Sequence, residues 1–407
     1  MVNAAGQVNT AYLSQLADYV GDGFYLRQEM ITAWARANAA LASSTVEDVV
    51  LGTDGWLYFG QTVDDYTGAD PMSEREIFSA ARNLKLMQEY CTGLGADFVF
   101  TVAPNKNSIY PEHMPALPIL SAVRNADRLA DELARQEVTG CDLFAALSAQ
   151  DERLYFKRDS HWNSKGAALA ADTITAALGR GTGYFAGEFV PEADHLSDLY
   201  AMLCPAGREL EEDLKYGGAL DFTYDVPIRS AENQTILTTG AGEGSLLLFR
   251  DSFGNLLYPY LADAFGSAMF SRAMPYTLTA AAARGADCVA IELVERNIDY
   301  LVRYLPVMPA PARGETGTAA AAGEAVALTA EDDGAIEGYV RVTGRLDAAC
   351  DARSGVYLCA DGLWYEALLL EDGAFGLYVP AEAAAGVHAV AFSANGALAA
   401  LPAALSN

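Results

Sequence analysis

The period of the apolar positions changes along the chain, and those changes divide it. From about residue 10 to 43, Leu13, Leu16, Ala17 and Val20, then Ile31, Trp34, Ala37 and Leu41, recur at steps of three and four, which predicts helix. Ser43-Ser44-Thr45 ends that pattern. Residues 49–59 then hold two short apolar runs joined by Asp54-Gly55, the turn pair expected of a β-hairpin. From about 72 helix-like and strand-like stretches alternate. Ser73, with Glu76 three residues on, forms a capping-box pattern for a helix running to Gly93. Residues 97–103 read as a buried strand ending at Pro104. A helix at about 120–135, a short strand near 138–144 and a helix at 164–178 follow. Residues 181–235 are irregular and rich in Tyr and acids. Two further apolar strands, 245–249 and 286–294, are separated by helices near 254–264 and 277–283. Strands that are apolar throughout, alternating with helices, predict an α/β fold with a mostly parallel sheet covered on both faces.

A second change comes near residue 310. Residues 308–324 are rich in Pro, Gly and Ala and read as a linker. Beyond them the period is two, at 338–342, 356–358, 365–368, 375–379 and 388–392. Five or six short strands over so few residues predict a small β-sandwich. The expected organisation is an N-terminal helical segment (1–44), an α/β domain (45–307), the linker (308–324) and an accessory β-sandwich (325–407). Trp364 and Tyr365 in the last unit are candidates for exposed, glycan-binding aromatics.

Composition narrows the function. The 26 Lys and Arg against 54 Asp and Glu give a formal net charge of −28, which repels phosphate backbones and anionic lipid. Nucleic acid and direct membrane-surface binding are therefore not expected. No stretch reaches the roughly 18 apolar residues of a membrane span. Met1 to Gln7 lack the basic and apolar regions of a signal peptide, so either the protein is cytoplasmic or an export segment lies outside this sequence. The six cysteines show no metal-type spacing. Cys141 and Cys288 lie in apolar runs and read as buried thiols, while Cys350 and Cys359 flank a possible turn and could pair. No two of the four histidines, His113, His161, His195 and His388, are placed as a local metal motif, so neither a metal nor another cofactor is expected.

Two segments carry candidate chemistry. In the first, the apolar strand 245–249 runs straight into a helix with Ser252 at the turn. A serine there stands at the carboxyl edge of the sheet, where open α/β folds bind ligands, and the N–H groups of the following helix face any oxyanion beside it. The plainer reading is that Asp251 or Ser252 merely caps the helix. In the second, Asp159 and His161 are two apart, so in an extended segment they project to the same side. A serine hydroxyl is a weak nucleophile and needs such an oriented base. Here the plainer reading is a polar loop histidine with Asp159 in a turn. Asn163 or Ser164 would cap the next helix.

With those segments in view, the chain resembles the DHHW family, relatives of the SGNH-hydrolase-like domains of the alginate O-acetyltransferases AlgJ and AlgX. The matching stretches are Gly52-Thr53-Asp54-Gly55-Trp56-Leu57-Tyr58, the run from Ala103-Pro104-Asn105-Lys106 to Tyr110-Pro111-Glu112, Asp159-Ser160-His161-Trp162-Asn163 and Arg250-Asp251-Ser252-Phe253. They span roughly residues 45–305, in that family's order, with the Asp-x-His segment before the serine. The resemblance implies an SGNH-hydrolase-like, flavodoxin-like domain with Ser252 as nucleophile, His161 as base and Asp159 orienting it. It also implies extracytoplasmic transfer of acetyl to or from a carbohydrate hydroxyl, the donor supplied in one version by a membrane acetyltransferase. The chain departs from ordinary SGNH enzymes at Arg250, where they have glycine, and in its Asp-x-His spacing.

Around this trio, the Ser252 N–H and the side chains of Asn105, Lys106 and Asn107 are candidate oxyanion or substrate donors. Arg250 and Arg296 are candidate substrate contacts, and Tyr110 and Trp162 candidate sugar-stacking walls. The leading reading is a polysaccharide O-acetyltransferase or O-acetylesterase. Its competitors are a catalytically inactive glycan-binding scaffold and a cytoplasmic hydrolase of small esters.

Overall fold

The computed structural model describes residues 26–315, 324–346 and 350–406. Arg27–Ala39 is helical, and the earlier part of the expected N-terminal helix lies outside the described residues. Strands β1 (Val49–Leu51) and β2 (Leu57–Phe59) form the expected hairpin, with Val49 opposite Phe59. At its turn Asp54 and Gly55 have φ of +52° and +78°, the left-handed pair that Asp-Gly adopts readily. The helix Glu74–Gly93 carries the predicted capping box, Ser73 and Glu76 bonding reciprocally.

The central sheet has the order β3-β10-β8-β9-β7-β6. It is built from β3 (Asp97–Ala103), β6 (Phe222–Tyr224), β7 (Thr235–Gly240), β8 (Ser245–Phe249), β9 (Ser267–Ser271) and β10 (Cys288–Val294). β3, β10, β8 and β9 run parallel. β7 and β6 join antiparallel, so the sheet is mixed. Side chains alternate between two cores because successive strand residues point to opposite faces. Leu246 and Leu248 enter one core with the helices Ser164–Ala177 and Gly254–Ala264. Leu247 and Phe249 enter the other with Glu74–Gly93 and Asn125–Arg135.

Two local expectations change. The strand expected near 138–144 reduces to a single bridge between Gly140 and Phe100, and Leu143–Ser148 turns helical. Within the stretch read as irregular, β4 (Phe189–His195) and β5 (Glu211–Tyr216) pair as a separate antiparallel ribbon. β4 is mostly solvent-exposed, so it has no buried face to leave a period-two signal.

The C-terminal strands are β11 (Ala312–Glu315), β12 (Val326–Glu331), β13 (Tyr339–Arg345), β14 (Val356–Ala360), β15 (Leu363–Glu366), β16 (Leu368–Leu369), β17 (Ala374–Pro380), β18 (Val387–Ala394) and β19 (Ala397–Ser406). In place of two stacked sheets they form one continuous sheet, ordered β11-β15-β14-β18-β19-β12-β13-β17-β16. The long β19 makes the join: its first part pairs with β18 and its end with β12. The sheet curls so that Val342, Leu358, Leu377 and Val390 share one core. β11 lies inside the expected linker, yet it pairs with β15. Trp364 and Tyr365 are buried, 2% and 8% exposed, and so are not the exposed aromatics expected of them. Cys350 and Cys359 remain free thiols rather than pairing. Buried Glu366 anchors this region to the central domain, bonding Arg82 Nε at 2.7 Å and Arg313 Nε at 2.6 Å.

Candidate active site

The serine turn is shaped by Asp251. Its carboxylate accepts from the backbone N–H groups of Phe253 (2.8 Å) and Val294 (2.7 Å), tying the end of β8 to the end of β10. The helix then starts at Gly254, where a Cβ would lie 2.5 Å from the Arg250 side chain, so glycine is required. Asp251 thus braces the turn instead of being a mere cap, and Ser252 is left with its hydroxyl free for another partner. No hydrogen bond joins the Ser252 backbone N–H to another described residue, which leaves it available as an oxyanion donor.

The histidine segment is a bend, not the extended stretch expected. Phe156 N–H donates to the His161 carbonyl (3.2 Å) and Asn163 N–H to that of Leu154 (2.8 Å), closing a tight loop. Asp159 turns its carboxylate back onto the loop: Oδ1 accepts from His161 N–H at 3.0 Å and from the His161 ring at Nδ1, 2.7 Å away. The pair is brought together by this side-chain turn. Asn163 caps the following helix by accepting from Gly166 N–H.

The two loops meet. His161 Nε2 is 2.8 Å from Ser252 Oγ. Trp162 Nε1–H donates to the Phe253 carbonyl (3.0 Å), and the Phe253 ring packs 4.8 Å from the His161 ring. Burial by itself would lower the His161 pKa, but the hydrogen bond and charge of Asp159 outweigh it, so it lies above the ordinary imidazole value. Burial would raise Asp159, yet its bonds from His161 and His195 hold it well below the usual carboxylate range. The resulting chain is carboxylate, imidazole and hydroxyl in hydrogen-bond contact, the arrangement that activates a serine for acyl transfer.

Two members of the site were not found in the sequence. His195 Nε2 is 2.8 Å from Asp159 Oδ2, which also accepts from Asp198 N–H at 2.9 Å. Asp198 in turn accepts from the Ser160 N–H at 2.8 Å. Both lie in the stretch without periodicity, over thirty residues from Asp159, where nothing local marks them. Among the described residues Asp159, His161 and Asp198 form the cluster whose ligand atoms could approach one ion. Their facing atoms are already taken by the bonds just given, so the donor set fits a relay better than a metal.

Several expected substrate contacts turn out to be structural. Lys106 is 3% exposed and donates from Nζ to the carbonyls of Phe156 (3.2 Å), Lys157 (2.9 Å) and Asp159 (2.5 Å), so it clamps the histidine loop from beneath. Burial lowers its pKa to about 7. Trp162 is fully buried and so forms no sugar wall, whereas Tyr110 is half-buried, its hydroxyl accepting from Leu154 N–H and its ring tilted against Trp56 at 4.9 Å. Asn105 sends one amide N–H to Asp65 (3.1 Å), and Asn107 Nδ2 donates to both the carbonyl and the hydroxyl of Thr62, so Asn107 has no donor left for an oxyanion. Arg250 is 4% exposed and its guanidinium bonds Asn255 (2.7 Å) and the Ala231 carbonyl (2.6 Å), locking a neighbouring loop rather than facing substrate. Arg296 differs. Its guanidinium lies over the rings of Phe59 (5.3 Å) and Phe253 (5.8 Å), forms no ion pair among the described residues and lines a groove of about 290 Å³.

Comparison with known proteins gives matches to part of the chain. Among solved structures, a DHHW family protein from Eubacterium siraeum is 17% identical, with a TM-score of 0.44 over 61% of this chain and 94% of that one. PatB1 from Bacillus cereus is 15% identical, with a TM-score of 0.48 over 62% and 97%. Among curated proteins, the probable alginate O-acetylase AlgJ of Pseudomonas syringae pv. tomato is 26% identical over 177 residues, 42% of this chain and 44% of that one. That of Pseudomonas aeruginosa is 29% identical over 150 residues, 36% and 37%. The chain therefore matches less than half the length of either relative. Residues 49–207 match the family model described as the SGNH hydrolase-like domain of the acetyltransferase AlgX, a stretch that includes Asp159, His161 and His195 but not Ser252. Over residues 49–207 the chain is thus similar to the SGNH hydrolase-like domain of AlgX, and over part of its length to AlgJ.

Proposed function

We propose that the protein is an extracytoplasmic polysaccharide O-acetyltransferase or O-acetylesterase that works through an acyl-serine at Ser252. The observation that carries this reading is the unbroken contact from Asp159 through His161 to Ser252, at 2.7 and 2.8 Å. His161 Nε2 takes the Ser252 proton as Oγ bonds to the acetyl carbonyl carbon. The carbonyl oxygen becomes an oxyanion, met by the Ser252 N–H. Collapse breaks the bond to the donor's leaving group, which takes the proton from His161. A sugar hydroxyl or water then gives its proton to His161 and attacks the acetyl-serine; collapse breaks the bond to Ser252 Oγ, which takes the proton back from His161, so the acceptor decides between transferase and esterase. Arg296, resting on Phe253 beside the relay, contacts the donor or the glycan. The domain at 45–307 does the chemistry, and the unit at 325–407 supports it.

One observation favours the alternative of a glycan-binding scaffold without turnover: both amide N–H groups of Asn107 are committed to Thr62, and one of Asn105 to Asp65. Intact-mass measurement after incubation with an activated acetyl ester separates the two. A single acetyl adduct on the wild type that disappears in Ser252→Ala and His161→Ala is expected. A folded wild type that neither forms the adduct nor hydrolyses the ester would leave the scaffold reading standing.

A further inference from the structure

We propose that His195 is a positioning residue that fixes and tunes Asp159, and through it the base His161. The inference rests on the assignment of Ser252 and His161 as nucleophile and base.

The Asp159 carboxylate has a full set of partners. Oδ1 takes the His161 N–H at 3.0 Å and the His161 ring at 2.7 Å, while Oδ2 takes His195 Nε2 at 2.8 Å and Asp198 N–H at 2.9 Å. Each oxygen thus uses both of its lone pairs. His195 is itself held. It ends β4 opposite Glu211 in the ribbon, and its ring lies flat on Phe156, with centroids 3.8 Å apart and planes 7° apart. Phe156 is fully buried, and its carbonyl accepts from Lys106. A ring clamped in this way cannot swing aside, so its N–H stays aimed at Oδ2. The charged and titratable groups around this arrangement are Asp159 and Asp198 at its face, His161 beyond the carboxylate, Glu211 across the ribbon and Lys106 beneath Phe156.

A donated hydrogen bond draws electron density from the carboxylate and restricts its rotation. Losing it would have two effects. Asp159 would hold imidazolium more strongly, so the His161 pKa would rise. Asp159 would also hold the His161 ring less firmly against Ser252. Slower acylation and an upward shift of its acid limb would therefore appear together, a combination that a general loss of structure does not produce.

The test compares the pH dependence of acyl-adduct formation in wild type, His195→Phe and His195→Gln, with Ser252→Ala as the control. Phenylalanine keeps the stack on Phe156 and removes the donor, whereas glutamine restores a donor. His195→Phe is expected to acylate about 10-fold more slowly, the scale of one hydrogen bond to a charged group, with its acid limb moved up and glutamine recovering part of both. Wild-type rate and limb in His195→Phe would overturn the proposal. So would equal losses in both variants with an unmoved limb. Titration of the His161 imidazole by NMR reads the same tuning without turnover. An unchanged His161 pKa in His195→Phe would overturn the proposal while Ser252 stays reactive, whereas an unreactive wild type would overturn the nucleophile assignment itself.

Discussion

His161 Nε2 stands 2.8 Å from Ser252 Oγ although 91 positions separate the two residues in sequence. Each is held from its own side. Lys106 grips three carbonyls of the histidine loop, and Asp251 binds two backbone N–H groups around the serine turn. The Trp162–Phe253 bond then links loop to turn. The hydroxyl and the base are therefore preorganised before substrate arrives, which is where most of the gain from positioning lies.

The pH dependence follows from the raised His161. A base must be unprotonated, so acylation should switch on through a pH above the ordinary imidazole value of about 6.5. Asp159→Asn removes the stabilising charge. It should move that limb downward while lowering the plateau by about 10³–10⁴-fold. Stability should respond with the opposite weighting. The depressed Asp159 contributes stability above the unfolded carboxylate pKa and loses it as pH falls. The gap in melting temperature between wild type and Asp159→Asn should thus narrow as pH falls below the unfolded carboxylate value of about 3.9. A pH–rate profile beside a melting series checks both signs.

Lys106 makes a separate prediction. Burial lowers its pKa to about 7, so between there and the unfolded value of about 10.4 the unfolded chain binds the extra proton. Wild-type stability should therefore gain, relative to Lys106→Met, as pH rises through that window. At neutral pH the methionine leaves the Phe156 and Asp159 carbonyls without a partner, while that of Lys157 keeps the Leu57 N–H, and the variant should lose about 2–4 kcal/mol. Denaturant titrations at pH 7 and pH 9 measure both effects.

The anchor of the C-terminal sheet is testable by the same means. Glu366 is 1% exposed and bonded to Arg82 and Arg313. Glu366→Ala would strip Arg82 of its carboxylate and leave Arg313 with Glu89 alone, a loss of about 1–3 kcal/mol. Calorimetry should show a lowered transition.

What could be read from the sequence was what local chemistry writes. The Ser73–Glu76 box, the Asp54-Gly55 turn, and the strands ending before Pro104 and Ser252 all carry their signal within a few residues. The Asp159–His161 pair was legible for the same reason, although its geometry comes from a side-chain turn rather than an extended strand. His195 and Asp198 were not, because they reach Asp159 through an exposed ribbon with no hydrophobic period. Arg250, Lys106 and Trp162 were placed on the substrate because charged and aromatic residues beside a nucleophile suggest contact. Burial, which the sequence does not print, assigns them to the frame instead.

Arg250 and Arg296 separate frame from contact. Arg250→Ala removes the bonds to Asn255 and to the Ala231 carbonyl, so the protein should melt earlier, with a loss of about 2–4 kcal/mol. Arg296 forms no ion pair among the described residues, and its guanidinium rests on Phe59 and Phe253. Arg296→Ala should therefore melt within about 0.5 kcal/mol of wild type, as surface changes do. If its guanidinium holds the donor or the glycan, kcat/KM should still fall about 10-fold or more, the value of one charged hydrogen bond. Arg296→Lys should recover little, because a single ammonium cannot reproduce a flat, two-pronged donor. An Arg296→Ala enzyme with unaltered kcat/KM on both donor and glycan would remove Arg296 from substrate recognition, and the groove it lines would lose its link to the reaction.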